Sequence, residues 1–143
     1  RQSTDVESRY RTMQRDPELD ALVMKYGKQY PNCAQTSFLA ALERNRIECD
    51  APSFVRALTA FPGIGGTGET CGAVSGSLLA MGLALGPTDH TDQAQSGKCH
   101  TASHQFCEAV KKEFGSTLHE RPGLFTQENL ITCIFKMAKE ILA

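Results

Sequence analysis

Six cysteines carry the chemistry open to this chain: Cys33, Cys49, Cys71, Cys99, Cys107 and Cys133. Cys71 stands in the stretch FPGIGGTGETCGAVSG, residues 61–76, just after a Gly63-x-Gly65-x-x-Gly68 spacing that matches a dinucleotide fingerprint. Such a fingerprint works only between a strand that aims the turn and a helix whose first amides take the pyrophosphate. Here the preceding segment, Phe54 to Phe61, is helix-like and ends at Pro62. Asp89 lies at about the right distance for a ribose acid, but it follows Gly86-Pro87 in a polar stretch with no strand–helix–strand pattern around it. No Gly-Lys-Ser/Thr of a P-loop follows either. These residues argue against NAD and describe a loop that delivers a cysteine.

Delivered there, Cys71 is expected in the first turns of a helix, where free amides and the helix dipole favour a thiolate over a thiol. Such a sulfur is a ligand or a nucleophile. Behind it Gly72 and Gly76 fall one helical turn apart, and Ala73 and Ala80 continue the run of small residues. Another backbone, or a compact inorganic cluster, can approach that face closely; tight packing around an inert buried cysteine is the other reading of the same residues. Cys33 follows the cap candidate Asn32 and so also begins a helix. Cys133 differs, since it falls within a helix in line with Leu130 and Met137 and taken alone fits a small core hydrophobe.

A second constellation is KCHTASHQFCEAV. On a helix His100, His104 and Cys107 share one face, with Cys99 one step around. A metal accepting imidazole and thiolate can use such a face. Solvent-facing histidines beside a core cysteine are the simpler reading. Cys-x-x-Cys and Cys-x-x-Cys-His are absent, which removes a thioredoxin-type motif and covalent c-type haem together.

The elements that must hold these residues read as helices throughout. Residues 1–15 are polar, and are expected to be mobile or loosely packed. Asp16-Pro17 offers a cap and first-turn proline, with Leu19, Leu22, Val23 and Tyr26 at helical spacing until Gly27. Asn32 starts a helix through about Arg46 with Phe38, Leu39 and Leu42 on one side, and Asp50, Pro52 and Ser53 start a short one reaching Phe61. Thr67 is the predicted cap of a helix from about Gly68 to Leu85, ended by Gly86-Pro87. DHTDQAQSGK is left partly as linker before a helix from about Lys98 to Phe114, closed by Gly115. A last helix from Thr126 packs through residues such as Ile134 and Ile141. Alternating β-branched runs are missing. The expected fold is all-α: a single domain over 1–143, a helical bundle of about five to six helices with no significant sheet.

Composition narrows the partners. With 15 basic and 16 acidic side chains the formal charge is -1, too balanced to hold a nucleic acid backbone or an anionic membrane. Apolar residues make up 41% but aromatics only 7%, with no Trp, so the core must be small and aliphatic. The uncharged run from Cys71 to Pro87 is shorter than the roughly 20 residues that span a bilayer, and reads as a buried helix. The chain is longer than the small disulfide-stapled scaffolds, so its cysteines point to metal or redox chemistry.

Cys71-Gly72-Ala73-Val74-Ser75-Gly76, continuing into SLLAMGLALG, resembles the signature of a family of redox-active proteins with four separated cysteines and a Cys-Gly-Ala-x-x-Gly motif, the C_GCAxxG_C_C family. NCAQTSFLAAL at 32–42 is similar to its first cysteine segment, and VKKEFGS followed by Cys133 to its last part, so the resemblance runs from about Asp20 to Leu142. It implies an all-helical protein related to split-Soret cytochromes, dimeric haem proteins in which a similar cysteine set is linked to an iron–sulfur cluster. Cys33, Cys71 and Cys133 would be three of the four cysteines, and where the fourth is expected this chain reads TLHERPG and places His119. Imidazole in place of thiolate keeps a ligand for iron and raises a cluster's potential. Cys99 and Cys107 have no counterpart in the pattern.

The expectation is therefore an iron–sulfur-binding electron carrier or accessory subunit of an anaerobic oxidoreductase system, a homodimer with a redox partner protein. Its metal ligands would be Cys33, Cys71, Cys133 and His119, with Gly72 and Gly76 against the cofactor. A thiol–disulfide protein, and a zinc-bound or metal-free interaction module, are the alternatives. Reduced thiols suit the cytoplasm; a start at Arg1 and the twin-arginine leader of some members leave room for the periplasm.

Overall fold

The computed structural model describes residues 17–30 and 32–114. The expectations for residues 1–15, for Asp16 as a cap, for the helix from Thr126, and for His119 and Cys133 lie outside them. Within them the chain is helical, and no strand element is present among the described residues.

The first helix, α1 (Pro17–Gln29), has proline at its first position, Glu18 and Asp20 at its positive end and Lys28 at its negative end. Leu19, Leu22 and Val23 form its buried stripe. It runs past Gly27, which keeps a right-handed backbone and so does not terminate it.

The central element is α2 (Cys33–Asn45). Asn32 caps it as expected: its side-chain oxygen accepts from the amides of Ala34, at 2.9 Å, and Gln35, at 3.2 Å. Arg46 adopts a left-handed conformation at φ 56°, and Ile47 N–H returns to Leu42 O at 2.9 Å, which closes the C-terminus. Burial on nearly every side explains its run of Ala34, Thr36, Ser37, Ala40 and Ala41, because only small side chains let neighbouring helices approach both flanks.

The short helix α3 (Ala51–Ala57) leads into a 3₁₀ turn at Leu58–Ala60, whose Leu58 is fully buried. Two side chains of α2's first turns hold this turn. Asn32 Nδ2 donates to Leu58 O at 3.3 Å, and Gln35 Nε2 donates to Val55 O at 2.8 Å. Next comes a glycine turn in which Gly63, Ile64, Gly65, Gly66 and Gly68 all have positive φ. Four of these five are glycines because a left-handed backbone penalises a side chain, and Ile64, β-branched, is the strained exception.

That turn corrects the predicted start of the following helix. Thr67 is not its cap: its hydroxyl donates back to Gly63 O at 3.1 Å and Ile64 O at 2.8 Å, and Gly68 at φ 77° cannot continue into a helix. The helix α4 spans Gly72–Leu85, with Cys71 as its extended N-cap residue. Gly86 ends it, donating to Gly82 O at 2.7 Å.

The fifth helix, α5 (Gln93–Phe114), begins at Gln93 rather than near Lys98. Asp92 caps it by accepting from Gln95 N–H at 3.0 Å, so half of the polar stretch assigned to linker is an exposed first turn and a half. Gln95 Nε2 then ties the helix to the end of α4 through Leu85 O at 2.6 Å. The layers follow from the contacts: α2 packs against both α1 and α4, and α5 packs against α4, with its Phe106 and Val110 buried. Among the described residues no helix is long and apolar enough to cross a membrane.

Candidate functional site

Two helix N-termini meet at the crossing of α2 and α4, and each carries a cysteine. Cys33 is the first residue of α2, Cys71 the cap of α4, and both are buried, at 6% and 4% exposure. Their side chains are close enough for each to shift the other's pKa. The sulfur of Cys33 also lies against the bare α-carbon of Gly72. A Cβ there would overlap that sulfur and stand 2.8 Å from the Ala34 nitrogen. One turn on, a Cβ at Gly76 would strike the Ala34 carbonyl and come 3.0 Å from the Ser37 Cβ. The glycine face is therefore filled by the backbone of α2, one of the two occupants its small residues allow. Through that contact the two sulfurs come together.

The electrostatics are those of a shared proton. Hydrogen bonding to Cys71 lowers the Cys33 pKa to about 7, against the opposing effect of burial, and the amides of Gly72, Cys33 and Ala34 add to the lowering. Cys71 moves the other way. It holds the proton that stabilises the Cys33 thiolate, and burial adds to the rise, while the amides of Ala73 and Val74 oppose it. The pair thus loses its first proton easily and its second with difficulty. A cation or a sulfur–sulfur bond would relieve that second cost.

The chain matches the family model described as "Putative redox-active protein (C_GCAxxG_C_C)" over residues 31–121, well over half of its length. The chain belongs to this family. The pattern of the redox-active family reads Gly-Cys-Ala-x-x-Gly where this member has Cys71-Gly72-Ala73-x-x-Gly76, the first two residues exchanged. Cys33, Cys71 and His119 fall inside the matched span and Cys133 beyond it. No curated protein and no solved structure matches the chain.

The remaining candidates of this family member stand apart from the pair. His100 and His104 lie on the exposed face of α5, His104 Nε2 being 3.9 Å from Glu108 Oε1. Cys99 and Cys107 are half-buried, and burial pushes the Cys107 thiol up. Cys49, also half-buried, is pushed up by burial and by Asp50. Among the described residues no group of three or more His, Cys, Asp or Glu is placed to hold a metal ion. Cys33 and Cys71 form a two-sulfur donor set whose soft thiolates suit iron. Sequence reasoning missed Ala34, whose backbone fills the bare faces of Gly72 and Gly76.

Proposed function

We propose that this protein is an iron–sulfur electron carrier, or the accessory redox subunit of an oxidoreductase, whose cluster is held by Cys33 and Cys71 together with Cys133 and His119. The observation that carries the reading is the convergence of two buried cysteines at two helix N-termini, the Cys33 sulfur lying against Gly72. Two adjacent thiolates repel, and a bound iron would relieve this by replacing the shared proton. The amides of Gly72 and Ala73 are then available to the sulfurs, a known lever on cluster potential. The cluster would supply one-electron transfer. The chain's own part is to hold two sulfurs side by side, deprotonate them and keep water away.

Exchange with the disulfide of a partner protein is the weaker use of the same pair. Attacking thiols need access, and these are 6% and 4% exposed. The test is anaerobic reconstitution with ferrous iron and sulfide, followed by metal and labile-sulfide determination and electron paramagnetic resonance. Visible absorbance that is lost in Cys33→Ser and Cys71→Ser supports the reading. Colourless, iron-free protein overturns it.

A further inference from the structure

We propose that the metal-free form reduces hydrogen peroxide, closing a disulfide between Cys33 and Cys71 and thereby withdrawing both ligands from iron. The regulatory half of this inference rests on the reading above; the chemistry rests on the pair alone. The Cys33 sulfur already lies against the α-carbon of Gly72, the residue after Cys71, and each cysteine is fixed at the start of a helix rather than on a free loop. Forming the bond therefore needs little further ordering. Because both sulfurs are nearly covered, a molecule little larger than water reaches them where a peptide disulfide does not.

Cys33 is the attacking sulfur: it is the first residue of α2, where the open helix N-terminus favours a thiolate, and its sulfur lies against the bare α-carbon of Gly72. Its sulfur bonds to one peroxide oxygen as the O–O bond breaks. The sulfur gives up two electrons to become a sulfenic acid, and the other oxygen leaves as water with the thiol proton. Cys71 then attacks the Cys33 sulfur, the S–O bond breaks, and hydroxide departs with the Cys71 proton as a second water. Two thiols and one peroxide give one disulfide and two waters. A dithiol reductant reverses the oxidation.

The experiment takes the full chain, metal-free and reduced, with stoichiometric hydrogen peroxide under argon. Intact mass, free-thiol titration and peptide mapping follow. The expected result is loss of two hydrogen masses, a cross-link joining the Cys33 and Cys71 peptides, and iron uptake that falls roughly tenfold until dithiothreitol restores it. Oxidised glutathione at the same concentration should react roughly tenfold more slowly because of the burial. A cross-link between any other pair, or sulfinic acid at Cys33 without one, overturns the chemistry. An equal rate with glutathione disulfide overturns the selection for a small oxidant. Iron uptake unchanged by the cross-link overturns the regulation. A protein that takes up no iron in either state defeats the cofactor reading and the regulation with it, while the mapped cross-link still decides the peroxide chemistry.

Discussion

Gly72 gives the Cys33 sulfur its place. A Cβ at position 72 would overlap that sulfur and press on the Ala34 amide at 2.8 Å, so the crossing of α2 and α4 and the meeting of the thiols are one geometric fact. Gly72→Ala should then cost about 1–3 kcal/mol through overpacking, read from urea unfolding. It should also return the pH midpoint of Cys33 alkylation toward the ordinary thiol range. Gly76→Ala, which strikes the Ala34 carbonyl instead, should destabilise comparably but move that midpoint less. An unmoved midpoint in Gly72→Ala would mean that the sulfur is not held there.

Stability of the reduced, metal-free protein should pass through a maximum with pH. An unfolded thiol titrates near about 8.5, whereas folded Cys33 does so at about 7. Between those values the unfolded chain binds one more proton than the folded one, so stability rises with pH at up to about 1.4 kcal/mol per unit. Above them the folded Cys71 keeps a proton that the unfolded chain has lost, and stability falls again. Cys49 and Cys107, both raised, add to the fall. Urea midpoints measured across this range decide it, and a flat profile counts against the shared proton.

Asn32 joins two tasks in one side chain. Its oxygen caps α2 and its nitrogen holds the Leu58 carbonyl. Asn32→Ala should cost about 1–2 kcal/mol. Asn32→Asp keeps the cap and loses only the donor, so it should cost less; thermal denaturation of the two variants separates the tasks. Equal losses would place the whole effect in the bond to Leu58.

If the pair ligates iron, Cys33→Ser and Cys71→Ser should each lose most of the iron bound on reconstitution, whereas Cys49→Ser should keep it. His119→Cys should hold a cluster of lower potential, because thiolate replaces imidazole. Iron per chain and redox titration provide the readouts. Retention of iron by both serine variants would remove the pair from the ligand set.

Local chemistry made several elements legible. Asn32 before Cys33 predicted the start of α2, since a capping side chain acts on amides two and three residues away and needs nothing distant. The start of α4 was not legible. Thr67 has the form of a cap, but its hydroxyl turns back to Gly63 and Ile64 in a run of left-handed residues. The start of α5 was hidden for a different reason: Gln93 to Lys98 is mostly exposed, and a solvated helix turn has no apolar period to reveal it. Asp92 was the available signal.

What the sequence determined by itself was the kind of parts: helices, two of them opened by cysteines, and small residues on the faces that follow. Capping, propensity and the dipole act within a few residues and can be read locally. Only the tertiary structure decided that the bare face of Gly72 and Gly76 receives Cys33, Ala34 and Ser37, and so that two cysteines distant in the chain meet. Contact between remote residues depends on how two backbones cross, and no local preference encodes that crossing.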